Sequence, residues 1–288
     1  MEIVVFGAGS LGTLLGGLLA RAHDVTLVGR DPHMRTTRER GLRVSGELAF
    51  DVAPDARTSP PESADLAVVT VKAFDTPQAG EALADCTLDA CLSLQNGLGN
   101  EETLAEHLDC PVLAGTCTYG AVLEEPGHVA CTGVGEVVLG ARDGGRSAVA
   151  DEVGDAFSAA EIVTNVSVTM PRRLWEKLAV NAGINATTAL ARVANGALLD
   201  GPAGVPAREA ARETARVARA HGVSLSDADA VAAVERVAAA TAKNTSSMLQ
   251  DVLEGRNTEV EAINGYVVRE ATEPVPVNET LASLLRAR

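Results

Sequence analysis

The segment that most restricts how this chain can fold is its first twenty residues. Residues 1–6 are apolar and read as a β-strand. The strand runs directly into Gly-Ala-Gly-Ser-Leu-Gly, residues 7–12, and an apolar helix continues from there to Ala20. A strand, a G-x-G-x-x-G turn and a helix in this order are typical of the first unit of a Rossmann-type fold. The chain is therefore expected to begin with such a domain.

In that unit the turn and the start of the helix hold the pyrophosphate of a dinucleotide. Gly7 permits the tight turn, Gly9 leaves room for the phosphates, and Gly12 lets the helix pack closely on the strand. The free backbone N–H groups of the first helical turn, at Ser10 and Leu11, donate to the phosphates. The sequence therefore predicts a cofactor-binding loop made of these five residues.

The end of the second strand indicates which dinucleotide is bound. Residues 24–28 form that strand, and Arg30 follows it closely. An acidic residue at this place holds the ribose 2′-hydroxyl of NAD, whereas an arginine accommodates the 2′-phosphate of NADP. Asp31 is interpreted as the cap of a helix over 32–40. Arg30 therefore favours NADPH, with NADH as the open alternative.

Two further strands of the N-terminal half end in polar residues. Residues 65–71 are apolar and β-branched, which is typical of a buried parallel strand, and Lys72 follows them. Residues 90–94 form the next strand, and Asn96 follows that one. Because doubly wound sheets bind ligands at the carboxyl ends of their strands, both side chains are expected beside the cofactor. A plain turn at Asn96 is the alternative.

The pattern of elements predicts an α/β protein with two domains. The short strands 42–45 and 48–52 are expected to form a crossover, and the β-branched stretch 112–140 to add antiparallel strands to the sheet. Beyond Val168 strand patterns stop and Ala-rich helical patterns take over. We predict an N-terminal Rossmann-type dinucleotide-binding domain over residues 1–167 and an all-α C-terminal domain over 168–288.

The most informative helix of the second half covers residues 171–190. Lys177, Asn181 and Asn185 recur at i, i+4 and i+8, so they share one face of this helix. Gly183 and the asparagines are poor helix formers, which suggests that another requirement selects them. Lysine occurs only at positions 72, 177 and 243 among the 24 Lys and Arg residues. Lysine can donate a proton where arginine cannot, so Lys177 is predicted to act chemically. A solvated polar face is the alternative.

A second polar face is predicted near residue 250. A helix beginning at Lys243 would place Asn244, Ser247 and Asp251 at i, i+3 and i+7. The segment 255–259 follows, and a helix is predicted over 260–269.

Composition limits the partners and the location. The formal charge of −15 argues against nucleic acid and anionic membranes, and there is no apolar run of 18 residues. The five cysteines form no C-x-x-C pair, and His and Cys lack metal-ligand spacing, so no metal is expected. The sequence favours a cytoplasmic, soluble, salt-adapted enzyme with a small-molecule substrate. A homodimer is compatible with it.

Five motifs together resemble the ketopantoate reductase family, and the resemblance covers nearly the whole chain. The motifs are GAGSLG (7–12), VKAFDT (71–76), QNGLGNE (95–101), WEKLAVNAGINATTAL (175–190) and NTSSMLQDVLEGRNTEVEAINGYVV (244–268). The last two are far more specific than the glycine loop. One departure is Thr-Glu-Val-Glu at 258–261 where T-E-I-D is commoner, and this substitution keeps the charge.

The resemblance implies reduction of 2-dehydropantoate, a 2-oxo acid, to pantoate with NADPH, in pantothenate and coenzyme A biosynthesis. It implies that Lys177 is the general acid. It also implies one group of residues that bind the substrate and a second group that lies at the cofactor. The substrate-binding residues are Asn181, Asn185, Asn244 and Ser247, and Lys72, Asn96 and Glu259 lie at the cofactor. The substrate is expected between the two domains. A reductase of another branched 2-oxo acid and a non-catalytic NADP-binding sensor are the alternatives.

Overall fold

The chain folds into two compact units, which the computed structural model describes over residues 1–288. Unit 1 comprises Met1–Gln95 and Asn100–Met170, and unit 2 comprises Asn96–Gly99 and Pro171–Arg288. The division after Met170 lies close to the predicted boundary at Ser167. The short segment 96–99 belongs to unit 2 although its neighbours in sequence belong to unit 1, and nothing in the sequence indicated this.

Unit 1 contains twelve strands and five α-helices. The strands are β1 (Glu2–Phe6), β2 (Asp24–Val28), β3 (Leu42–Gly46), β4 (Phe50–Val52), β5 (Asp55–Arg57), β6 (Ser63–Val69), β7 (Thr87–Ser93), β8 (Val112–Cys117), β9 (Gly120–Glu125), β10 (His128–Gly133), β11 (Val137–Ala141) and β12 (Thr164–Val166). The helices are α1 (Ser10–Leu19), α2 (His33–Arg40), α3 (Thr76–Leu83), α4 (Asn100–Ala105) and α5 (Ala148–Ala159), with a 3-10 turn at Ala73–Asp75.

The strands form two sheets. The larger has the order β12-β11-β8-β7-β6-β1-β2-β5 and is parallel apart from the β8–β11 pairing. Along β1, Ile3 and Val5 pack with α1 in one core, and Val4 packs with α3 and α4 in the other. A strand that is buried on both faces reads as a continuous apolar run, which is why these strands were recognisable. The Rossmann-type fold class is confirmed.

The smaller sheet, β4-β3-β10-β9, refines one expectation and corrects another. The strands predicted at 42–45 and 48–52 are present as β3 and β4 and lie in the connection between the parallel strands β2 and β5 of the large sheet, but they pair in the smaller sheet. Within the stretch 112–140 only β8 and β11 extend the large sheet, since β9 and β10 pair with each other and β10 pairs with β3. Alternation of side chains identifies a strand but does not say which strand it pairs with.

Unit 2 is helical. Its helices are α6 (Met170–Ala191), α7 (Ala197–Asp200), α8 (Gly204–Ala220), α9 (Asp227–Ala240), α10 (Ser247–Leu253), α11 (Asn264–Glu270) and α12 (Pro276–Arg286). Small residues dominate its core, so helices approach closely. A Cβ on Gly183 of α6 would lie 2.6 Å from the carbonyl oxygen of Ala207 on α8. No helix of either unit is long and apolar enough to cross a membrane.

A buried histidine ties three parts of unit 1 together. His33, on α2, is only 6% exposed. Its Nδ1 accepts a hydrogen bond from the backbone N–H of Gly127 at 2.9 Å, and its Nε2 lies 3.0 Å from the hydroxyl of Thr13 on α1. Because Nδ1 accepts, the ring is neutral and its proton is on Nε2. Burial lowers the pKa of His33 below 6.5.

This arrangement predicts acid sensitivity of unit 1. The unfolded chain protonates this imidazole near pH 6.5 while the folded chain resists, so the free energy of unfolding should fall as pH drops below about 6.5. The variant His33→Asn keeps an acceptor near the Nδ1 position but does not titrate. Urea unfolding of the wild type and of His33→Asn at a series of pH values from 8 to 5 measures the free energy of unfolding of each protein.

As pH falls, the free energy of unfolding of the wild type should decrease relative to that of His33→Asn. The other four histidines are common to both proteins, so their titration does not contribute to this difference. Parallel pH profiles for the two proteins would contradict the assignment.

Candidate active site

The glycine loop between β1 and α1 has the geometry of a phosphate cradle. Gly7 has a φ of +107°, and a Cβ on Gly12 would collide with the carbonyl oxygen of Gly7 and the hydroxyl of Thr70. Gly9 differs, since a Cβ there would meet only the carbonyl oxygen of Gly7, at 3.9 Å. Packing within unit 1 thus requires glycine at 7 and 12. At Gly9 the absent side chain leaves open space in front of the helix.

The start of α1 offers backbone donors to an anion. Its N-cap residue, Gly9, provides no side-chain acceptor, and the first turn contains no acidic residue. The hydroxyl of Ser10 accepts from the backbone N–H of Leu123 on β9 at 3.1 Å, so its side chain is held by the smaller sheet. The N–H groups at Ser10 and Leu11, together with the positive end of the helix dipole, fit a pyrophosphate.

Arg30 and Asp31 follow β2 and differ in their surroundings. The Arg30 side chain is 89% exposed, and its guanidinium lies 3.8 Å from the carboxylate of Asp75. The carboxylate of Asp31 accepts from the backbone N–H of Arg35 at 3.0 Å, which caps α2, although the helix proper begins at His33. Asp31 therefore helps to fix the start of α2, and the Arg30 side chain extends into solvent near this strand end.

A buried hydrogen-bond network supports the loop that carries Lys72. The side-chain amide of Gln95 donates to the hydroxyl of Thr76 at 2.7 Å and to the carbonyl oxygen of Val71 at 3.2 Å. The Thr76 hydroxyl donates in turn to the side-chain carbonyl of Asn100 at 2.9 Å. Sequence reasoning gave Gln95, Thr76 and Asn100 no role. Their place in the two motifs that contain Lys72 and Asn96 was the available signal.

In unit 2 the three polar residues predicted to share one helix face, Lys177, Asn181 and Asn185, lie on α6, and they are called the α6 stripe below. Lys177 and Asn181 are half-buried, and Asn185 is 7% exposed. The structure gives neither carboxamide a hydrogen-bond partner, and the buried hydroxyl of Thr187 on this helix also has none, whereas that of Thr188 has one. Two unpaired amides on one helix face are suited to receive a polar ligand.

The segment around residue 245 is arranged differently from the prediction. Helix α10 begins at Ser247, and residues 243–246 precede it in extended or turn conformation. Asn244 is therefore not on a helical face with Ser247 and Asp251. The reason is local, since Ser246 has extended backbone angles and its hydroxyl caps the helix. The predicted helix over 260–269 likewise begins later, as α11 at Asn264.

Asn244 and Ser247 are both exposed, while Ser246 between them is buried. Neither exposed side chain forms a hydrogen bond within the protein. Both therefore remain available to a ligand even though one lies in a loop and the other on the first helical turn.

Asn96 and Glu259, which are 163 positions apart in sequence, are brought together in unit 2. The side-chain amide of Asn96 donates to the Glu259 carboxylate at 3.3 Å, and that carboxylate belongs to a residue that is only 5% exposed. The backbone N–H of Leu98 donates to the carbonyl oxygen of Ala262 at 3.3 Å. The segment 96–99 is thereby fastened to the residues just before α11.

The predicted site residues thus form two sets. Unit 1 contains the cofactor loop (Gly7, Gly9, Ser10, Leu11, Gly12) with Arg30 and Lys72, and unit 2 contains Lys177, Asn181, Asn185, Asn244, Ser247, Asn96 and Glu259. Unit 1 is equipped to hold a dinucleotide phosphate. The predicted residues of unit 2 comprise Lys177, several neutral hydrogen-bonding groups and the buried carboxylate of Glu259. No group of three or more His, Cys, Asp or Glu side chains is arranged to hold a metal ion.

Two protein-family signatures cover most of the chain. Residues 3–144 match the family described as ketopantoate reductase PanE/ApbA, and residues 169–288 match its C-terminal counterpart, ketopantoate reductase PanE/ApbA C terminal.

Full-length relatives agree with these signatures. The 2-dehydropantoate 2-reductase of Halobacterium salinarum is 46% identical, with 99% of this chain and 98% of the relative covered. The enzyme of the same name from Archaeoglobus fulgidus is 41% identical, with 99% and 97% covered.

Solved structures give the same result. A PanE/ApbA family ketopantoate reductase from Ralstonia eutropha JMP134 has a TM-score of 0.92 at 33% identity, over 100% of this chain and 98% of the other. A ternary complex of D-mandelate dehydrogenase with NADH and anilino(oxo)acetate also has a TM-score of 0.92, at 25% identity, over 100% and 97%. On both signatures and on full-length similarity, the chain belongs to the ketopantoate reductase family.

Proposed function

We propose that this chain catalyses the reduction of 2-dehydropantoate to pantoate with NADPH, as a step of pantothenate and coenzyme A biosynthesis. The observation that carries the proposal is the full-length similarity to 2-dehydropantoate 2-reductases, 46% over 99% of the chain. The chemistry of the two units supports it independently. Unit 1 has a phosphate cradle, and unit 2 has a lysine with unpaired carboxamides.

NADPH is proposed over NADH because of the groups at the end of β2. Arg30 offers an exposed guanidinium, which suits a 2′-phosphate. The carboxylate of Asp31 accepts from the backbone N–H of Arg35 at the start of α2, which favours a structural role for Asp31 over a contact with a ribose hydroxyl. Gly7, Gly9 and Gly12 with the first N–H groups of α1 would hold the pyrophosphate. A dinucleotide held there would supply the hydride for reduction of the C2 carbonyl carbon of the substrate.

Lys177 is proposed as the general acid. As the C2 oxygen of the 2-oxo acid gains negative charge, the ammonium group stabilises that charge and then delivers a proton to the oxygen. A fixed cation on a half-buried helix face does this with less reorganisation than water would need. An arginine at this position would supply the charge but not the proton.

The neutral groups of unit 2 are proposed to orient the substrate. The carboxamides of Asn181 and Asn185 and the side chains of Asn244 and Ser247 can donate to a carboxylate or accept from a hydroxyl without adding charge. Binding the substrate by such groups fixes C2 relative to Lys177, and orientation of this kind contributes strongly to rate. The Glu259 carboxylate is proposed to fix the orientation of the Asn96 amide.

Reduction of another 2-oxo acid is the second candidate. It is favoured by the structural match to D-mandelate dehydrogenase, which has the same TM-score as the ketopantoate reductase match but lower sequence identity. That relative acts on a 2-hydroxy acid with an aromatic group in place of the branched aliphatic one.

The absorbance of the reduced cofactor at 340 nm tests the proposal. We expect rapid oxidation of NADPH with 2-dehydropantoate and much slower oxidation with benzoylformate, the oxo acid related to mandelate. The reverse order would replace the proposed substrate with the second candidate. No oxidation by a folded protein that binds NADPH would exclude both.

Replacing Lys177 tests the proton donor. We expect Lys177→Ala to lower kcat by roughly 10²–10⁴-fold, because proton transfer to the C2 oxygen is lost, with little change in the Kd for NADPH. The matched variant Lys177→Arg keeps the positive charge, and its kcat should be almost as low. Steady-state kinetics and fluorescence titration with NADPH measure the two quantities. A near-normal kcat in Lys177→Arg would show that charge alone is needed.

Replacing Arg30 tests cofactor choice. We expect Arg30→Ala to raise the KM for NADPH roughly tenfold, which corresponds to about 1.4 kcal/mol, while the KM for NADH stays the same. Arg40→Ala, at the other end of α2, removes the same charge and serves as the control. The KM for NADPH and the KM for NADH, measured for the wild type and both variants at low salt where screening is weak, test the contact between Arg30 and the 2′-phosphate. Equal effects on NADPH and NADH would refute a contact with the 2′-phosphate.

A further inference from the structure

We propose that Thr188 and Ser246 are positioning residues, whose hydrogen bond holds the loop carrying Asn244 and Ser247 against the end of the α6 stripe. The inference deepens the proposed function and rests on it for its kinetic consequences. Neither residue touches the substrate in this proposal. They act by fixing where the substrate-binding groups of two separate segments stand.

The stripe on α6 is longer than its three predicted members. Thr188 lies three residues beyond Asn185 and eleven beyond Lys177, so on a helix with 3.6 residues per turn it continues the same face. Its hydroxyl lies 2.7 Å from that of Ser246, a residue from a segment 58 positions away in sequence. The face that carries Lys177 and the two asparagines therefore ends at a contact with Ser246, which directly precedes Ser247.

The hydrogen bonds at this contact form one directed chain. The hydroxyl of Ser246 accepts from the backbone N–H of Leu249 at 3.2 Å, and the hydroxyl of Thr188 donates to the carbonyl oxygen of Ile184 at 2.7 Å. The Thr188 proton is thus used within α6, so the Ser246 hydroxyl donates to Thr188. Every donor in the chain has an acceptor. One buried chain joins the first turn of α10 to the backbone of α6.

The other end of the same loop is anchored through backbone groups. The N–H of Asn195 donates to the carbonyl oxygen of Asn244, and the N–H of Gly196 donates to that of Ala242, both at 3.0 Å. These bonds do not depend on any side chain. Loss of the Thr188–Ser246 contact should therefore loosen the start of α10 without unfolding the loop.

The contact also separates the roles of two adjacent serines. Ser246 is 5% exposed and both of its hydrogen-bonding functions are used, whereas the exposed side chain of Ser247 is unengaged. A buried network that is fully satisfied specifies one arrangement. Ser246 is thus assigned to holding the loop in place, and Ser247 remains available to bind the substrate.

The diagnostic variant is Thr188→Val, which replaces the hydroxyl by a methyl group of similar size and leaves the Ser246 cap on Leu249 intact. The control is Thr214→Val on α8, because Thr214 is also buried and donates to a carbonyl four residues before it, that of Ala210, at 2.8 Å. Thr188→Ser keeps the hydroxyl and serves as the conservative variant.

Two readouts distinguish positioning from a general loss of stability. We expect Thr188→Val to raise the KM for 2-dehydropantoate about tenfold and to leave the KM for NADPH unchanged, since a small misplacement of binding groups is costly. We expect faster hydrogen exchange of the backbone amides at the start of α10, Leu249 included. Thr214→Val should show neither effect, and Thr188→Ser should restore both values.

The outcomes separate the two proposals. Unchanged exchange at the start of α10 in Thr188→Val, or the same KM in Thr188→Val and Thr214→Val, overturns the positioning role. A wild-type protein that fails to reduce 2-dehydropantoate overturns the proposed function instead, and hydrogen exchange still decides whether Thr188 fixes the loop. In a double-mutant cycle, Ser246→Ala added to Thr188→Val should raise the KM less than the sum of the single effects predicts.

Discussion

The close packing of α6 against its neighbours is the constraint on which unit 2 depends. Nearly every residue of α6 from Leu178 to Ala189 is buried, and at Gly183 the backbone approaches the carbonyl oxygen of Ala207 too closely for any side chain. A helix buried over most of its surface is normally apolar all round. The buried polar side chains of α6 are those of Asn185, Thr187 and Thr188, and only Thr188 has a hydrogen-bond partner within the protein.

The polar side chains of α6 differ in whether the protein supplies them with a hydrogen-bond partner. Thr188 is fully engaged through Ile184 and Ser246, so it contributes to structure. Asn181 and Asn185 have no protein partner, although Asn185 is almost completely buried. Both amides are therefore free of protein partners and can hydrogen-bond to a bound molecule. The same helix therefore supplies both the framework of unit 2 and the groups with which the substrate is proposed to be bound.

The sequence predicted those parts of the protein that depend on local patterns. Strand β2 and the helix α6 were placed within a residue or two, because apolar runs and helical periodicity are local properties. The placement of β3 and β4 in a separate sheet was missed, since strand pairing over long distances has no local signal. Gly183 shows a second limit. Its presence in a helix suggested function, but the structure explains it by the contact with α8.

The site shows the same division between local and long-range information. The stripe of Lys177, Asn181 and Asn185 follows from helical spacing alone. The approach of Asn96 to Glu259 does not, because the two residues come from distant segments that meet only in the folded unit. The spacing of Asn244 and Ser247 was also misjudged, since Ser246 was not recognised as a helix cap. Capping by one of two adjacent serines depends on backbone angles that residue types do not fix.

The net charge of −15 gives the choice of neutral binding groups a physical reason. A strongly acidic protein repels an anionic substrate at low salt, whereas at about 1 M salt the Debye length is only about 3 Å and long-range attraction is lost as well. Recognition must then come from short hydrogen bonds in a partly buried place. The carboxamides and the serine hydroxyl that are proposed to bind the substrate can form such bonds at any ionic strength, and the proposed general acid Lys177 would add one charge where the reaction develops one. Because hydrogen bonds of this kind are lost with small displacements, the contact between Thr188 and Ser246 matters more here than it would in a site that attracts its substrate by charge.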